Sequence, residues 1–90
     1  MEFEWDEAKR LSNVAKHGID FRDVRPLFDG RPVAQLDSIR GGEWRVVTIG
    51  EVAEGIITVV STDRGRRRRL ISARRASRDE RREYRQILGG

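Results

Sequence analysis

The chain is 90 residues long, room for one small domain over 1–90 whose core lies near the lower limit of what folds unaided. It has no cysteine, which excludes disulfides and thiolate metal sites, and no apolar run of membrane-spanning length. Lys and Arg number 19 against 15 Asp and Glu, a net charge of +4, and the charged fraction of 38% exceeds the roughly 25% of ordinary domains.

The N-terminal residues MEFEWDE are acidic where a secretory signal is basic and then apolar, so a cytoplasmic protein is expected. Phe3 and Trp5 alternate with Glu2 and Glu4, the pattern of a short first strand. Asp6 then caps a helix to about Lys16, with an apolar stripe of Ala8, Leu11, Val14 and Ala15 and with Gly18 as its stop. The opposite stripe, Lys9, Asn13 and Lys16, reads as a solvated face. Asp20 is placed to cap a second, shorter helix that buries Phe21, Val24, Leu27 and Phe28; Pro26 removes an amide donor from its interior, so a kink or an end near Phe28 is expected.

After Gly30 the period becomes alternating. Strands are expected from about Val33 to Asp37 and from Glu43 to Ile49, with Trp44, Val46 and Thr48 on one face and Arg45, Val47 and Ile49 on the other. Ile56–Ser61 is apolar on both faces, as in a central strand, and Asp63-Arg64-Gly65 turns into a further strand, Arg67 to Ala73. Ser77-x-x-Glu80 has the spacing of a capping box and opens a last helix to Leu88. The order is β-α-α-β-β-β-β-α: an α+β domain on an antiparallel sheet, with two N-terminal helices and one C-terminal helix. Trp5 and Trp44 are expected to anchor its core.

Charge is distributed unevenly along this chain. Arg64 to Arg85 holds eleven cations and three acids, leaving the rest of the chain at −4. The apolar run Leu70-Ile71-Ser72-Ala73 and the capping box mark the block as a folded cationic surface rather than a tail, and a polyanion, first of all nucleic acid, suits it.

Several spacings coincide with a known pattern: F-x-W-D-x-x-K at Phe3–Lys9, N-x-x-K-H-G-I at Asn13–Ile19, F-x-x-V-x-x-L-F-D at Phe21–Asp29, G-E-W-R at Gly42–Arg45, and Arg69 to Tyr84 read as R-x-I-S-A-R-R-A-S-x-x-E-x-x-x-Y. Together they resemble the BrnT family of toxins from bacterial type II toxin–antitoxin modules. The resemblance implies a RelE/ParE-like fold, ribonuclease activity that inhibits translation, and neutralisation by a ribbon-helix-helix antitoxin. It also implies operator DNA bound only through the antitoxin complex.

Metal-free RNA cleavage uses the neighbouring 2′-hydroxyl as nucleophile. It needs a base near that oxygen, an acid near the leaving oxygen, and cations on the phosphorane. A single histidine excludes a two-histidine pair within one chain, and no close carboxylate cluster suits two Mg²⁺ ions, so neither metal nor cofactor is expected. What remains is an arginine-dominated site. Arg64 and Arg74 leave strands at their ends, where two guanidinium forks could hold one phosphate.

Tyr84, one helical turn from Glu80 and Arg81, could stack on a base or pass a proton, or pack with Ile87 and Leu88. Glu80 could be a base, but capping explains it as well. His17 at a helix end could transfer a proton or bond free carbonyls. Arg69 alternates with Ile71 and Ala73 and could face either way, and Glu43 and Arg45 read as support near the site. Lys16, Arg67, Arg69, Arg78 and Arg81 complete an RNA-binding footprint whose hold weakens with salt. The same arginines could equally dock an acidic antitoxin surface. The alternatives to a nuclease are a basic module that acts by occupying nucleic acid or protein, and a ParE-like gyrase poison.

Overall fold

The computed structural model of the chain describes residues 1–89. Five strands form one sheet: β1 (Glu2–Glu4), β2 (Ala34–Arg40), β3 (Glu43–Val52), β4 (Gly55–Arg64) and β5 (Arg67–Arg75). They lie in the order β1-β5-β4-β3-β2. The helices are α1 (Glu7–His17) and α2 (Arg78–Leu88). Among the described residues no helix is long and apolar enough to cross a membrane.

The α+β class and the strand count agree with the sequence reading, and two parts of the layout do not. The sheet is mixed rather than antiparallel, because the first strand docks beside the last and runs parallel to it, Glu2–Glu4 against Arg67–Arg69. The second helix is replaced by two short 3₁₀ turns, Phe21–Asp23 and Arg25–Phe28. Pro26 lies at the start of the second turn, and its missing donor and ring bulk keep an α-helix from running through. Asp20 still caps, accepting from the Arg22 amide at 2.9 Å, and Phe21, Val24 and Leu27 are buried as expected.

The first helix is turned from its expected orientation. Asp6 caps it through the amides of Ala8 and Lys9, and Gly18 ends it in the left-handed region at φ 69°. Its apolar stripe faces outward, however, with Leu11 56% exposed, whereas Asn13 from the supposedly solvated stripe is buried. The cause lies in β5. Past Arg69 that strand has no neighbour on its β1 side, so its backbone groups need other partners. Asn13 supplies them: Nδ2 donates to Ala73 O at 2.7 Å, and Oδ1 accepts from Ala73 N at 3.1 Å. One side-chain amide stands in for a strand residue, and Nδ2 also donates to Ile19 O at 2.9 Å.

The main core lies on one face of the sheet, where Ile19, Phe21, Val24 and Leu27 meet Val52, Ile57, Val59, Leu70 and Ala73. Trp5 belongs to it, edge-on to Phe21 at 6.2 Å. Trp44 does not: it sits near the tip of the β2–β3 hairpin, opposite Ile39 and beyond the cover of this layer, and is 64% exposed. Gly50 marks the closest approach to the layer. A Cβ there would lie 2.5 Å from Leu27 Cδ1 and 2.9 Å from Val33 Cγ1. Leu27 is fully buried and cannot swing away, so Gly50→Ala is expected to cost about 1–3 kcal/mol, read as a lower urea midpoint at unchanged m-value.

The second face carries a much smaller cluster, Ala34, Ile49 and Ala76, with Ile56 and Tyr84 packed against it. It lies beneath α2, which covers one end of the face and leaves the rest open.

Candidate functional site

An irregularity in β5 determines what the open face displays. Val60 pairs with Ser72 but Ser61 pairs with Leu70, so Ile71 is an extra residue, a bulge. Leu70 and Ala73 can therefore both point into the main core, while Arg69, Ser72 and Arg74 share the other face. Simple alternation grouped Arg69 with Ile71 and Ala73; the bulge separates them.

Arg74 lies opposite Thr58 in the β4–β5 ladder, at the end where β5 turns into α2. The capping box forms there: Ser77 Oγ accepts from Glu80 N at 3.2 Å, and Glu80 Oε1 accepts from Ser77 N at 2.8 Å. The same carboxylate takes the Arg74 fork, Nη1 at 2.6 Å and Nη2 at 2.8 Å, and accepts from Thr58 Oγ1 at 3.0 Å. Two strands and a helix start thus converge on one ion pair. The Arg74 fork, more than the Ser77 amide or the Thr58 hydroxyl, lowers the Glu80 pKa to about 2, and Glu80 in turn raises that of Arg74.

A carboxylate lowered in this way stabilises the fold above its ordinary pKa of 4.5, and the contribution is lost as pH falls towards about 2. The Arg74 side chain is 40% exposed, so solvent screening reduces the effect to about 1–2 kcal/mol. Chemical denaturation of wild type and Glu80→Gln from pH 6 to pH 2.5 is expected to give stability curves that converge below about pH 4.5. The difference between the curves isolates Glu80 from Asp20, whose carboxyl is also held at about 2, chiefly by its hydrogen bond from Arg22.

From this ion pair a groove of about 330 Å³ runs over the open face. Its floor is Val47 and Val60 with Ser72, and its far wall is Ser38, Arg40 and Arg45. Arg45 is half-buried: its Nη2 lies 3.6 Å from Glu43 Oε2, and its Nε is buried with no partner among the described residues. Arg40 makes no ion pair among the described residues. Three guanidinium groups therefore border the groove, against the carboxylates of Glu80 at one end and Glu43 beside Arg45.

Of the side chains singled out in the sequence, Arg74 and Glu80 come together here, with Arg45 across the groove and Glu43 beside it. Arg64 does not join them. It pairs with Arg67 at the opposite end of β4–β5, six residues along β4 from Thr58, or about 20 Å, too far for it and Arg74 to grip one phosphate. Tyr84 packs on the small cluster and faces a separate depression with Asp29, Arg31, Pro32 and Glu51. Lys16 and His17 are exposed in the last turn of α1, outside the groove. Arg69 is held by Glu4 at 2.7 Å, and Arg67 approaches Glu2 at 3.7 Å, both fastening β1 to β5. Arg78 and Arg81 lie with Arg82 and Arg85 along the exposed side of α2, where Arg81 also donates to Ala76 O at 3.1 Å.

Sequence reasoning missed Arg40, Ser38, Thr58 and Ser72. A signal for Arg40 was available: Gly41-Gly42 suits a two-residue hairpin turn, which places Arg40 opposite Glu43 and Ser38 opposite Arg45. Thr58 and Ser72 depend on the β4–β5 register and its bulge, for which the sequence carries no local cue.

No curated protein matches the chain. The family model of the ribonuclease toxin BrnT, of type II toxin–antitoxin systems, matches residues 5–80, which takes in the groove strands, Arg74 and the capping box with Glu80. The chain belongs to the BrnT family of ribonuclease toxins.

Proposed function

We propose that the chain is a metal-independent endoribonuclease that inhibits translation, with Arg74 and Glu80 at its reaction centre. The observation that carries this reading is the Arg74–Glu80 fork at the head of an arginine-bordered groove. A substrate phosphate competes with Glu80 for Arg74. Once the phosphate takes the guanidinium, Glu80 loses the main cause of its low pKa, and its carboxylate becomes a stronger base. Ser77 N and Thr58 Oγ1 keep it in place. Glu80 then removes the proton of the 2′-hydroxyl, and that oxygen attacks phosphorus. The 5′-oxygen leaves with a proton from water, and a 2′,3′-cyclic phosphate remains. Arg74 stabilises the charge that develops on the phosphorane.

A type II toxin family implies an antitoxin as well as RNA. We take the antitoxin to be a ribbon-helix-helix protein whose acidic surface covers the α2 arginines and the groove mouth, neutralising by competition with substrate in the cytoplasm. Operator DNA is then reached only through that complex.

The test is incubation of the purified chain with a long RNA in EDTA, first alone and then with ribosomes. Cyclic-phosphate or 3′-phosphate ends are expected, at a rate lowered roughly 10²-fold in Glu80→Gln. Intact RNA under both conditions overturns the reading and leaves a basic module that acts by occupation.

A further inference from the structure

The groove has a direction as well as a charge. Across the sheet, its side chains lie in rows. Arg74 stands opposite Thr58; Ser72, Val60 and Val47 form the next row; Arg45 and Ser38 form the third; and Arg40 begins the fourth. Rows on one face of a sheet are about 7 Å apart, so Arg45 and Arg40 in adjacent rows are spaced like successive phosphates of an extended strand, while Arg74, two rows from Arg45, lies more than one phosphate away. The cationic positions step diagonally from β5 at Arg74 to β3 at Arg45 and β2 at Arg40, with an apolar floor of Val47 and Val60 between them.

From this we infer that the groove binds an extended single-stranded RNA in a fixed path, with one phosphate at Arg74 and two others, both to the same side of it, at Arg45 and Arg40. The inference takes RNA as ligand from the ribonuclease reading, but concerns where the strand lies and not whether it is cut. Three observations support the path. Arg40 makes no ion pair among the described residues that a phosphate would have to displace. Arg45 keeps a buried, unpartnered Nε beside the groove. The competing straight path along β4 and β5 meets Arg69, which Glu4 already holds at 2.7 Å. A duplex does not fit the description, since the diagonal offers one line of cations rather than two. The floor carries no aromatic side chain, so bases are accepted without stacking and with little sequence preference. Glu43, opposite Arg40, limits the path at its far end by charge.

Arg64 provides the internal comparison. It is as cationic as Arg40, exposed, and on the same sheet face, but lies outside the groove. The experiment measures Kd by fluorescence anisotropy and competition for 2′-O-methyl RNA strands of two and six nucleotides, which cannot be cleaved by 2′-hydroxyl attack. Arg40→Ala is expected to reduce the advantage of the hexamer over the dimer about tenfold. Arg64→Ala is expected to weaken both strands alike through the general field, leaving their ratio within about twofold. A neutral methylphosphonate, moved along the hexamer, is expected to weaken wild type at the Arg74 phosphate and at two positions to one side of it, the farther of which adds nothing further in Arg40→Ala. Equal effects of the two substitutions on the ratio, or additive effects of Arg40→Ala and every neutral linkage, overturn the path. If RNA stays intact in the cleavage assay while this pattern holds, the ribonuclease reading fails and the path stands.

Discussion

Arg74→Ala is expected to lower RNA cleavage by about 10²–10³-fold while the protein stays folded, the size of effect seen when one donor to a developing anion is removed. The fold should survive because the structural duties around Arg74 are shared. Glu80 still accepts from Ser77 N and Thr58 Oγ1, so the start of α2 remains capped. Arg74 also keeps its place in the β4–β5 ladder through its backbone. What alanine removes is the two-pronged donor at the head of the groove. Arg74→Lys separates charge from geometry: it restores a cation but not the fork, and should recover only part of the rate. Single-turnover cleavage of a long RNA, beside circular dichroism spectra, measures both. Cleavage within threefold of wild type in Arg74→Ala would remove Arg74 from the reaction centre.

The largest expected effect on stability belongs to a residue far from the groove. Asn13→Ala deletes three hydrogen bonds at a buried site and leaves Ala73 N, Ala73 O and Ile19 O without partners. Orphaned buried backbone groups cost roughly 1–3 kcal/mol apiece, partly relieved when water enters, so the loss should be about 3 kcal/mol. For a domain of this size that corresponds to a fall in Tm of roughly 15 °C. Asn13→Asp tests the cause: it keeps the acceptor for Ala73 N but sets a carboxylate against two carbonyls, so it should be no better than alanine. A loss under 1 kcal/mol for Asn13→Ala would mean that the β5 edge is closed by something else.

Asn13 also shows where sequence reading reached its limit. A polar residue on a helix flanked at helical spacing by Lys9 and Lys16 has the pattern of a solvated face, and hydropathy cannot report that a strand edge is waiting opposite. The same limit misplaced Trp44, whose residue type suggests burial while its position at a hairpin tip leaves it uncovered. What was legible came from local chemistry. The Ser77–Glu80 box, the Asp6 cap, the Gly18 stop and the central position of Ile56–Ser61 each follow from contacts within a few residues. The helix expected over Phe21–Phe28 failed at the one residue, Pro26, that argued against it. In the candidate site, Glu80 was legible as a member of that box and Arg74 as the strand end just before it. Thr58 and Ser72 depend on pairing between distant strands and on a one-residue bulge, which no short-range pattern encodes.

The stand-in strand residue has a consequence for how the protein comes into being. Asn13 and Ala73 are 60 residues apart, and β1 likewise waits for β5. During synthesis the first helix is made early, yet its buried amide has nothing to bind until the last strand leaves the ribosome. Long-range closure of this kind is slow, and it keeps early segments open. Arg74 and Glu80 arrive after every other strand, so a nascent chain carries no assembled groove. Completion of the fold and assembly of the groove then coincide.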